Sequence, residues 1–246
     1  MKTNRDVPPI EVHGDPFKAL EKFGGVYQCP KDLSGKRRGP LVACGGTYAK
    51  NNQRLAYVGE TYYCFAQAMQ YPYLVDHWAR RLSDKISQDF NICDEDVYLG
   101  LPLQGACLAQ SLARNSKYTR AVQVERPGGE FASLQVKSYQ VFWGDQAIIV
   151  EDIGNSFRTA EEVITQIEAM GAKAKAIVCV CTRSHKTCFH LPGGREIPII
   201  SLARKEIPQY QQDDPYVAKD VEIGNVIWEP EKNWGALMEL MKQGKK

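Results

Sequence analysis

The stretch of sequence that decides the fold is residues 147–162, AIIVEDIGNSFRTAEE. It begins with four apolar residues, a continuous run that is typical of a buried parallel strand. Glu151 and Asp152 follow at the carboxyl end of this run. A polar loop then leads into a segment in which apolar residues recur at helical spacing up to Gly171. The stretch therefore predicts a buried strand, a polar loop and a helix.

The loop and the start of this helix, residues 155–162, suit an anion. A helix N-terminus presents backbone N–H groups without intrahelical partners and the positive end of the helix dipole, and both favour phosphate. Glu151 and Asp152 lie just before the loop, where their carboxylates can accept hydrogen bonds from sugar hydroxyls. One ligand with a ribose and a phosphate would satisfy both parts. The sequence therefore predicts a ribose-phosphate site at residues 148–159.

Further apolar runs flank this stretch and alternate with helical segments. Strand-like runs occur at residues 97–99, 121–124, 176–181 and 197–201, and a helical pattern covers residues 106–113. Strands and helices that alternate at this spacing predict an α/β fold with a central parallel sheet flanked by helices. In such sheets ligands bind beyond the carboxyl ends of the strands.

Four apolar residues, two acids, a short polar loop and a helix together resemble the phosphoribosyl pyrophosphate motif of type I phosphoribosyltransferases, most of all the orotate phosphoribosyltransferases. The resemblance covers roughly residues 95–205. It implies that fold, with a small N-terminal subdomain or hood at residues 1–70 and the α/β core at residues 71–246. It also implies that Glu151 and Asp152 contact the ribose hydroxyls. The phosphate loop would consist of Asn155, Ser156, Phe157, Arg158 and Thr159.

Two further segments agree with this resemblance. Gly100 ends the first core strand, and the loop after it is similar to the family's pyrophosphate loop, where backbone N–H groups face the leaving group. Arg183 ends the strand after the motif helix, where orotate-type members have an arginine that contacts the base. A planar guanidinium suits that task because it binds two acceptors at once. The residues implied to bind pyrophosphate are Leu103, Gln104, Gly105 and Arg126.

The resemblance implies an enzyme that transfers ribose 5-phosphate from phosphoribosyl pyrophosphate to a nucleobase, with Mg²⁺ as cofactor. Orotate, and with it pyrimidine nucleotide synthesis, is the preferred base because of Arg183 and the arrangement around Arg126. Another base stays open, because residues 125–128 also resemble adenine-type enzymes. Orotate-type members are usually dimers, so the resemblance implies a homodimer.

The sequence departs from the family pattern at two loops. Phe157 stands where the family has a glycine that lets the backbone approach phosphate. After Arg126 the first lysine is Lys137, and no histidine occurs between Arg126 and Glu151, whereas orotate-type enzymes have lysines and a histidine soon after the arginine. No catalytic residue is therefore assigned. Two alternatives stay open: a regulatory protein that binds a nucleotide or phosphoribosyl ligand without turnover, and an interaction protein that has lost the ligand too.

Several site residues also have simpler explanations. Thr159 and Glu162 match a capping box, with Thr159 as the N-cap residue and Glu162 bonding back to it. Arg158 could be an ordinary surface residue and Arg183 an ordinary strand-end arginine. The acid pair alone could be a solvated strand end.

Composition and charge exclude several classes of protein. The formal net charge is +2, which gives no case for a nucleic-acid-binding protein. No segment is apolar for long enough to cross a bilayer, and the N-terminus lacks the apolar run of a signal peptide, so we expect a cytoplasmic location. The chain has eight cysteines, but a chain of this size without a secretion signal does not need disulfides.

Five potential metal ligands occur close together near the middle of the second half of the chain: Cys179, Cys181, His185, Cys188 and His190. Their spacing does not match the Cys-x-x-Cys pairs of common zinc sites. We therefore expect no metal that side chains ligate directly.

Overall fold

The computed structural model describes residues 14–93, 96–116, 119–128 and 133–243. Residues 1–13 of the predicted N-terminal region and residues 129–132, which follow Arg126, lie outside the described residues. In chain order the elements are α1 (Pro16–Lys22), β1 (Val26–Gln28), β2 (Leu41–Lys50), β3 (Gln53–Gly59), β4 (Thr61–Tyr63), α2 (Phe65–Met69), α3 (Pro72–Asp89), β5 (Asp96–Gly100), α4 (Gln104–Asn115), β6 (Arg120–Gln123), β7 (Gln146–Gly154), α5 (Arg158–Ala169), β8 (Lys173–Thr182), β9 (Cys188–His190), β10 (Glu196–Arg204), α6 (Ala218–Glu222), β11 (Val226–Ile227) and α7 (Trp234–Gln243).

Six strands form the central sheet in the order β6-β5-β7-β8-β10-β9. The first five are parallel, and β9 pairs antiparallel with β10 at one edge. Strand β7 lies in the interior of the sheet, where Ile149 pairs with Leu99 on one side and Ile177 on the other. The predicted α/β fold with a central parallel sheet flanked by helices is therefore confirmed, with one antiparallel edge strand in addition.

Alternate residues of β7 point to opposite faces of the sheet, and helices cover both faces. Ile149 packs with Val163 and Ile167 of α5 on one face. Ile148 and Val150 pack in a second cluster with residues of α3 and α4. A strand that is apolar on both faces requires such a layer on each side. Among the described residues, no helix has the length and apolar character needed to span a bilayer.

The hood-like region contains two small sheets and includes segments from the C-terminal part of the chain. One sheet has the order β11-β2-β3, and the other joins β1 to β4. Val226 and Ile227 of β11 run parallel to the start of β2. Trp234 and Leu237 of α7 pack in the same cluster as Tyr27 of β1. Both ends of the described chain therefore contribute to the hood, and the predicted boundary after residue 70 stays a prediction.

A buried ion pair links strands on either side of β7. Asp96 at the start of β5 is fully buried, and Lys175 Nζ of β8 donates to its two carboxylate oxygens at 2.8 and 3.0 Å. The backbone N–H of Cys93 donates to the same carboxylate at 2.7 Å. A carboxylate removed from water in this way depends on such partners for its stability.

Replacement of Lys175 should therefore be strongly destabilising. We expect Lys175→Met to lower the free energy of unfolding by about 3 to 5 kcal/mol, because it leaves the Asp96 carboxylate buried without this cation. Lys173→Met, at an exposed position two residues earlier in β8, is the control and should change stability by less than about 0.5 kcal/mol. Urea unfolding at pH 7 measures both variants, and equal small effects at the two positions would contradict the role of the pair.

Candidate functional site

Two adjoining cavities lie at the carboxyl ends of the central strands. The larger cavity has a volume of about 690 Å³ and the smaller cavity about 170 Å³. Tyr62 and Arg126 line both, so the two cavities form one cleft. The larger cavity is lined by Tyr62, Pro102, Leu103, Gln104, Gln123, Val124, Glu125, Arg126, Pro127 and Glu231. The smaller cavity is lined by Ala43, Cys44, Gly45, Gly46, Thr47, Arg54, Ala56, Tyr62, Arg126, Ser156, Arg158, Thr159, Trp228 and Pro230.

The loop between β5 and α4 forms one wall of the larger cavity. Leu103 and Gln104 line that wall, and Arg126 lies across from it at the junction of the two cavities. Gly105 is placed behind them, where a Cβ atom would come within 2.4 Å of the carbonyl oxygen of Val150. Only glycine permits this approach, which brings the N-terminus of α4 against the end of β7. The structure thus brings the four residues together, and their binding of pyrophosphate stays a prediction.

Phe157 has a left-handed backbone conformation, with φ 60° and ψ 15°, immediately before α5. This region favours glycine, so a bulky residue there is an outlier. The side chain is only 2% exposed and packs in the core cluster that contains Val163. A Cβ atom on Gly154 would meet the ring at 2.3 Å, which shows how closely the loop covers it. The ring therefore points into the core and does not fill the smaller cavity.

Helix α5 begins at Arg158, so the predicted N-cap at Thr159 is wrong. The N-cap position belongs to Phe157, which makes no side-chain capping bond. Glu162 accepts a hydrogen bond from the backbone N–H of Leu134 at 2.8 Å. The left-handed residue starts the helix two positions earlier than the capping pattern predicts. As a result, Arg158 and Thr159 both belong to the first turn and line the smaller cavity.

The other two residues of the predicted phosphate loop have different environments. Ser156 is exposed and lines the smaller cavity. Asn155 Nδ2 donates to Gln209 Oε1 at 3.0 Å. A Cβ atom on Gly46 would come within 2.9 Å of the same amide nitrogen. Asn155 therefore holds the loop against β2, and Ser156 is the residue of the two that faces the cleft.

Three arginines, Arg54, Arg126 and Arg158, line the smaller cavity. They come from β3, from the segment after β6 and from the first turn of α5. Arg54 Nε also donates to Thr47 Oγ1 at 2.8 Å, which orients its guanidinium. Three permanently charged groups around a helix N-terminus make a site that suits the size and charge of a phosphate group.

Glu151 and Asp152 lie near the carboxyl end of β7 in a poorly solvated position, and neither is among the residues that line the two cavities. Burial, and then the neighbouring carboxyl of Asp152, raises the pKa of Glu151 to about 8. Burial also raises the pKa of Asp152 to about 6, although backbone N–H groups oppose the shift. The carboxyl of Glu231 adds to this increase. Carboxyl groups in such a setting gain from hydrogen-bond donors, and sugar hydroxyls are donors.

Arg183 is 8% exposed and lies behind the wall of the smaller cavity. Its Nη2 is 3.6 Å from Cys44 Sγ, and Cys44 lines that cavity. The backbone N–H of Arg183 donates to the carbonyl of Gly154 at 2.8 Å, which fixes the end of β8 beside the acid pair. Its Nε is buried and has no hydrogen-bond partner among the described residues. Arg183 does not line either cavity as the structure stands, and its contact with a base stays a prediction.

Lys137, the first lysine after Arg126, is held at the rim of the cleft. Its Nζ lies 2.5 Å from Glu125 Oε1, and this ion pair raises the pKa of the lysine. Glu125 lines the larger cavity, and its backbone pairs with that of Gln135. Lys137 itself does not line either cavity.

The potential metal ligands of residues 179–190 do not form one group. Cys179 and Cys181 are buried in separate hydrophobic clusters of the core. His185 is exposed and lies 3.5 Å from Glu206. The structure therefore does not bring the five residues together at one site.

Four further residues line the cleft that the sequence did not predict there: Arg54, Tyr62, Trp228 and Glu231. Arg54 and Tyr62 belong to the hood strands, and the other two follow β11. No local motif marks them, because they reach the cleft only when the hood packs onto the central sheet. The single available sign was the density of tyrosines around residues 57–63.

No protein-family model matches the chain. Orotate phosphoribosyltransferase 2 of Mesorhizobium japonicum is 35% identical over 94 residues, which are 38% of this chain and 44% of that protein. The orotate phosphoribosyltransferase of Bartonella tribocorum is 26% identical over 156 residues, 62% of this chain and 74% of that protein. The match therefore spans less than half the length of the first relative and about three quarters of the second.

A relative with a different description is the transcriptional regulator GfcR of Methanothrix thermoacetophila. It is 31% identical over 144 residues, 54% of this chain and 66% of that protein. Among solved structures, the adenine phosphoribosyltransferase of Thermoanaerobacter pseudethanolicus superposes with a TM-score of 0.48 at 15% identity, over 76% of this chain and 99% of that one.

The left-handed conformation of Phe157 predicts an unusual order of stability among its variants. Phe157→Ala and Phe157→Gly both remove the buried ring, so each should lose about 3 kcal/mol or more of unfolding free energy. The glycine variant should nevertheless be more stable than the alanine variant by about 1 kcal/mol, because glycine adopts positive φ without strain. Denaturant unfolding of the two variants measures this difference. An alanine variant as stable as the glycine variant would contradict the left-handed conformation.

The raised pKa of Glu151 predicts a pH-dependent stability. Between the ordinary pKa of 4.5 and about 8 the folded state retains a proton that the unfolded state releases, so stability is highest below this range and falls as pH rises through it. Glu151→Gln should remove this loss and raise stability at pH 8 by on the order of 2 kcal/mol. Urea unfolding from pH 5 to 8 measures the slope. Glu222→Gln, at the exposed end of α6, should retain the wild-type slope.

Proposed function

We propose that this chain binds phosphoribosyl pyrophosphate and transfers ribose 5-phosphate to a nucleobase. The proposal is supported by the resemblance in sequence to orotate phosphoribosyltransferases and by the central parallel sheet flanked by helices. The observation that supports the proposal most is that the strand with the acid pair leads into the arginine-lined smaller cavity at the N-terminus of α5, with Asp152 close enough to Tyr62 of the cavity lining to raise the pKa of that tyrosine. One half of that arrangement suits a sugar and the other half suits its phosphate.

In this proposal the 5′-phosphate occupies the smaller cavity. The backbone N–H groups of the first turn of α5 and the side chains of Ser156, Arg158 and Thr159 contact it, with Arg54 on the opposite wall. Glu151 and Asp152 accept hydrogen bonds from the ribose hydroxyls. Those bonds replace the solvation that both carboxyls lack, which explains why the chain retains two acids at a buried strand end with no ion pair to them among the described residues.

The pyrophosphate of the substrate extends into the larger cavity. The backbone of residues 103–105 and the guanidinium of Arg126 face it there, and Arg126 lies where the two cavities join. The oxygen-rich cleft, with Glu151, Asp152 and Glu231 nearby, fits the preference of Mg²⁺ for oxygen ligands. When bound with the substrate, Mg²⁺ neutralises charge that develops on the leaving pyrophosphate.

The reaction exchanges one bond for another at C1 of the ribose. A nitrogen of the base loses its proton to solvent and forms a bond to C1, the bond from C1 to the pyrophosphate oxygen breaks, and its electron pair leaves with the pyrophosphate. The residues of this chain position the two reactants and stabilise charge, and no side chain is assigned as a proton donor or acceptor. A homodimer is part of the proposal, since it is usual for orotate-type members.

Orotate is the base that the site favours. The buried guanidinium of Arg183 has an unpaired Nε at the end of β8, and the carboxylate of orotate could satisfy it in a bidentate way. Cys44 separates Arg183 from the smaller cavity, so a small displacement of the start of β2 would have to accompany base binding. Adenine lacks a carboxylate and would leave this cation unpaired.

A second candidate is a regulatory protein that binds the same kind of ligand without turnover. The resemblance to a transcriptional regulator favours it, as does the lack of a lysine or histidine close to Arg126. Lys137 is paired with Glu125 outside the cleft lining, which also favours this candidate.

Ligand binding and pyrophosphate release distinguish these functions. Phosphoribosyl pyrophosphate with Mg²⁺ should raise the thermal midpoint of the wild-type chain under both candidates. Release of pyrophosphate on addition of orotate, and not of adenine, is expected only for the enzyme. Stabilisation without release for any base would support the regulator, and no stabilisation by this ligand or by a nucleoside monophosphate would contradict both.

Arg158→Ala tests the phosphate site directly. The variant should bind phosphoribosyl pyrophosphate roughly 10- to 100-fold more weakly, since a hydrogen bond to a charged group contributes about 1.5 to 3 kcal/mol. Arg80→Ala, at an exposed arginine in the middle of α3, is the control and should bind like the wild type. Isothermal titration calorimetry measures both, and equal affinities would contradict a phosphate role for residues 155–159.

A further inference from the structure

The hairpin formed by β9 and β10 places three metal-binding side chains on one face. Cys188 and His190 are two residues apart in β9, so their side chains point to the same side of the strand. In the antiparallel pairing His190 lies directly opposite Glu196 of β10. Phe189, between them, points to the other side and is buried in the core, which fixes the orientation of the strand.

The three side chains approach each other closely. His190 Nε2 lies 2.9 Å from Glu196 Oε1 and 4.0 Å from Cys188 Sγ. One ligand atom from each of the three residues lies within 4.8 Å of the other two. Among the described residues this is the only group of three or more cysteine, histidine or acidic side chains with such spacing. We propose that Cys188, His190 and Glu196 form a zinc site on the surface of this hairpin.

The donor set and the spacing favour Zn²⁺ over other divalent metals. A thiolate, an imidazole and a carboxylate are the three side chains that bind zinc in proteins, whereas Mg²⁺ and Ca²⁺ prefer oxygen alone. Ligand atoms about 2.0 to 2.3 Å from a tetrahedral zinc ion are roughly 3.3 to 3.8 Å apart. The observed separations bracket this range, so small rotations of exposed side chains bring all three atoms into contact with one ion.

The fourth corner of the site is open. The residue opposite Cys188 in the pairing is Pro198, whose side chain offers no ligand atom. Water or an external ligand would complete the tetrahedron, as at zinc sites that have three protein ligands. The side chains of His190 and Glu196 are 66% and 61% exposed, so solvent reaches the site. The site is separate from the cleft, because none of its three residues lines either cavity.

A nearby pair supplies a natural comparison. His185 and Glu206 are an exposed histidine and glutamate 3.5 Å apart, but no cysteine completes them as a group of three. Cys107 is an exposed thiol on α4 and belongs to no such group among the described residues. If zinc required only an exposed His–Glu pair or an exposed thiol, these residues would bind it as well. The proposal requires a cysteine, a histidine and a glutamate close together, and among the described residues only the hairpin provides all three.

Cobalt and zinc titrations of the full chain test the site. Co²⁺ should give a thiolate-to-metal absorption band with the wild-type chain, and one equivalent of Zn²⁺ should abolish the band by displacement. Cys188→Ser should lose the band, and His190→Ala should weaken zinc binding by at least about tenfold in a competition with a chromophoric chelator. The controls His185→Ala and Cys107→Ser should behave like the wild type. Binding should strengthen as pH rises, because the metal displaces the proton of the thiol.

The opposite results would overturn the proposal. The first such result is that the wild type gives no cobalt band. The second is that the control variants lose as much zinc binding as the hairpin variants. Thermal unfolding without metal confirms that each variant is folded, and added Zn²⁺ should raise the midpoint of the wild type but not that of Cys188→Ser. These measurements need no activity assay, so they are independent of whether the chain transfers phosphoribosyl groups.

Discussion

The site depends on one physical constraint, the burial of two adjacent carboxyl groups at the end of an interior strand. Strand β7 is apolar on both faces and packed between two helical layers, so its carboxyl end lies deep in the molecule. Glu151 and Asp152 lie within this end of the strand, directly after its apolar run, and burial raises the pKa of each. Folding therefore removes these two carboxyl groups from water, and the loss of hydration costs free energy. A ligand that donates hydrogen bonds offsets this cost, which ties the stability of the fold to the function of the site.

The backbone at Phe157 follows from the same geometry. The chain must leave β7, expose a short loop and start α5 within three residues, and a left-handed residue makes this turn. Glycine would make this turn without strain. Phe157 adds a ring that is buried in the core below the loop. The loop is thus held by hydrophobic packing where the family pattern has a flexible residue. The smaller cavity stays open although phenylalanine stands in place of glycine, because the ring lies on the other side of the backbone and does not line the cavity.

The cleft also requires the hood, although the acids and the helix belong to the core. Arg54 reaches the smaller cavity from β3, and Trp228 and Pro230 reach it from the segment after β11. Strand β11 pairs with β2, so the C-terminal part of the chain closes over the N-terminal part. The positive charge of the cleft is therefore local. A net charge of only +2 for the whole chain is compatible with three arginines around a cavity of about 170 Å³.

The sequence alone determined the strand, loop and helix of the motif and the parallel sheet. These features follow from continuous apolar runs and helical spacing, which are local properties of neighbouring residues. The sequence did not determine the start of α5, because the capping pattern at Thr159 competes with a left-handed turn that depends on burial of the Phe157 ring. Only the tertiary structure brought Arg54 and Glu231 to the cleft and set His190 opposite Glu196. Some of these contacts join residues that are distant in the chain, and the others depend on the register between two strands. The packing of whole helices and strands decides the distant contacts and the register.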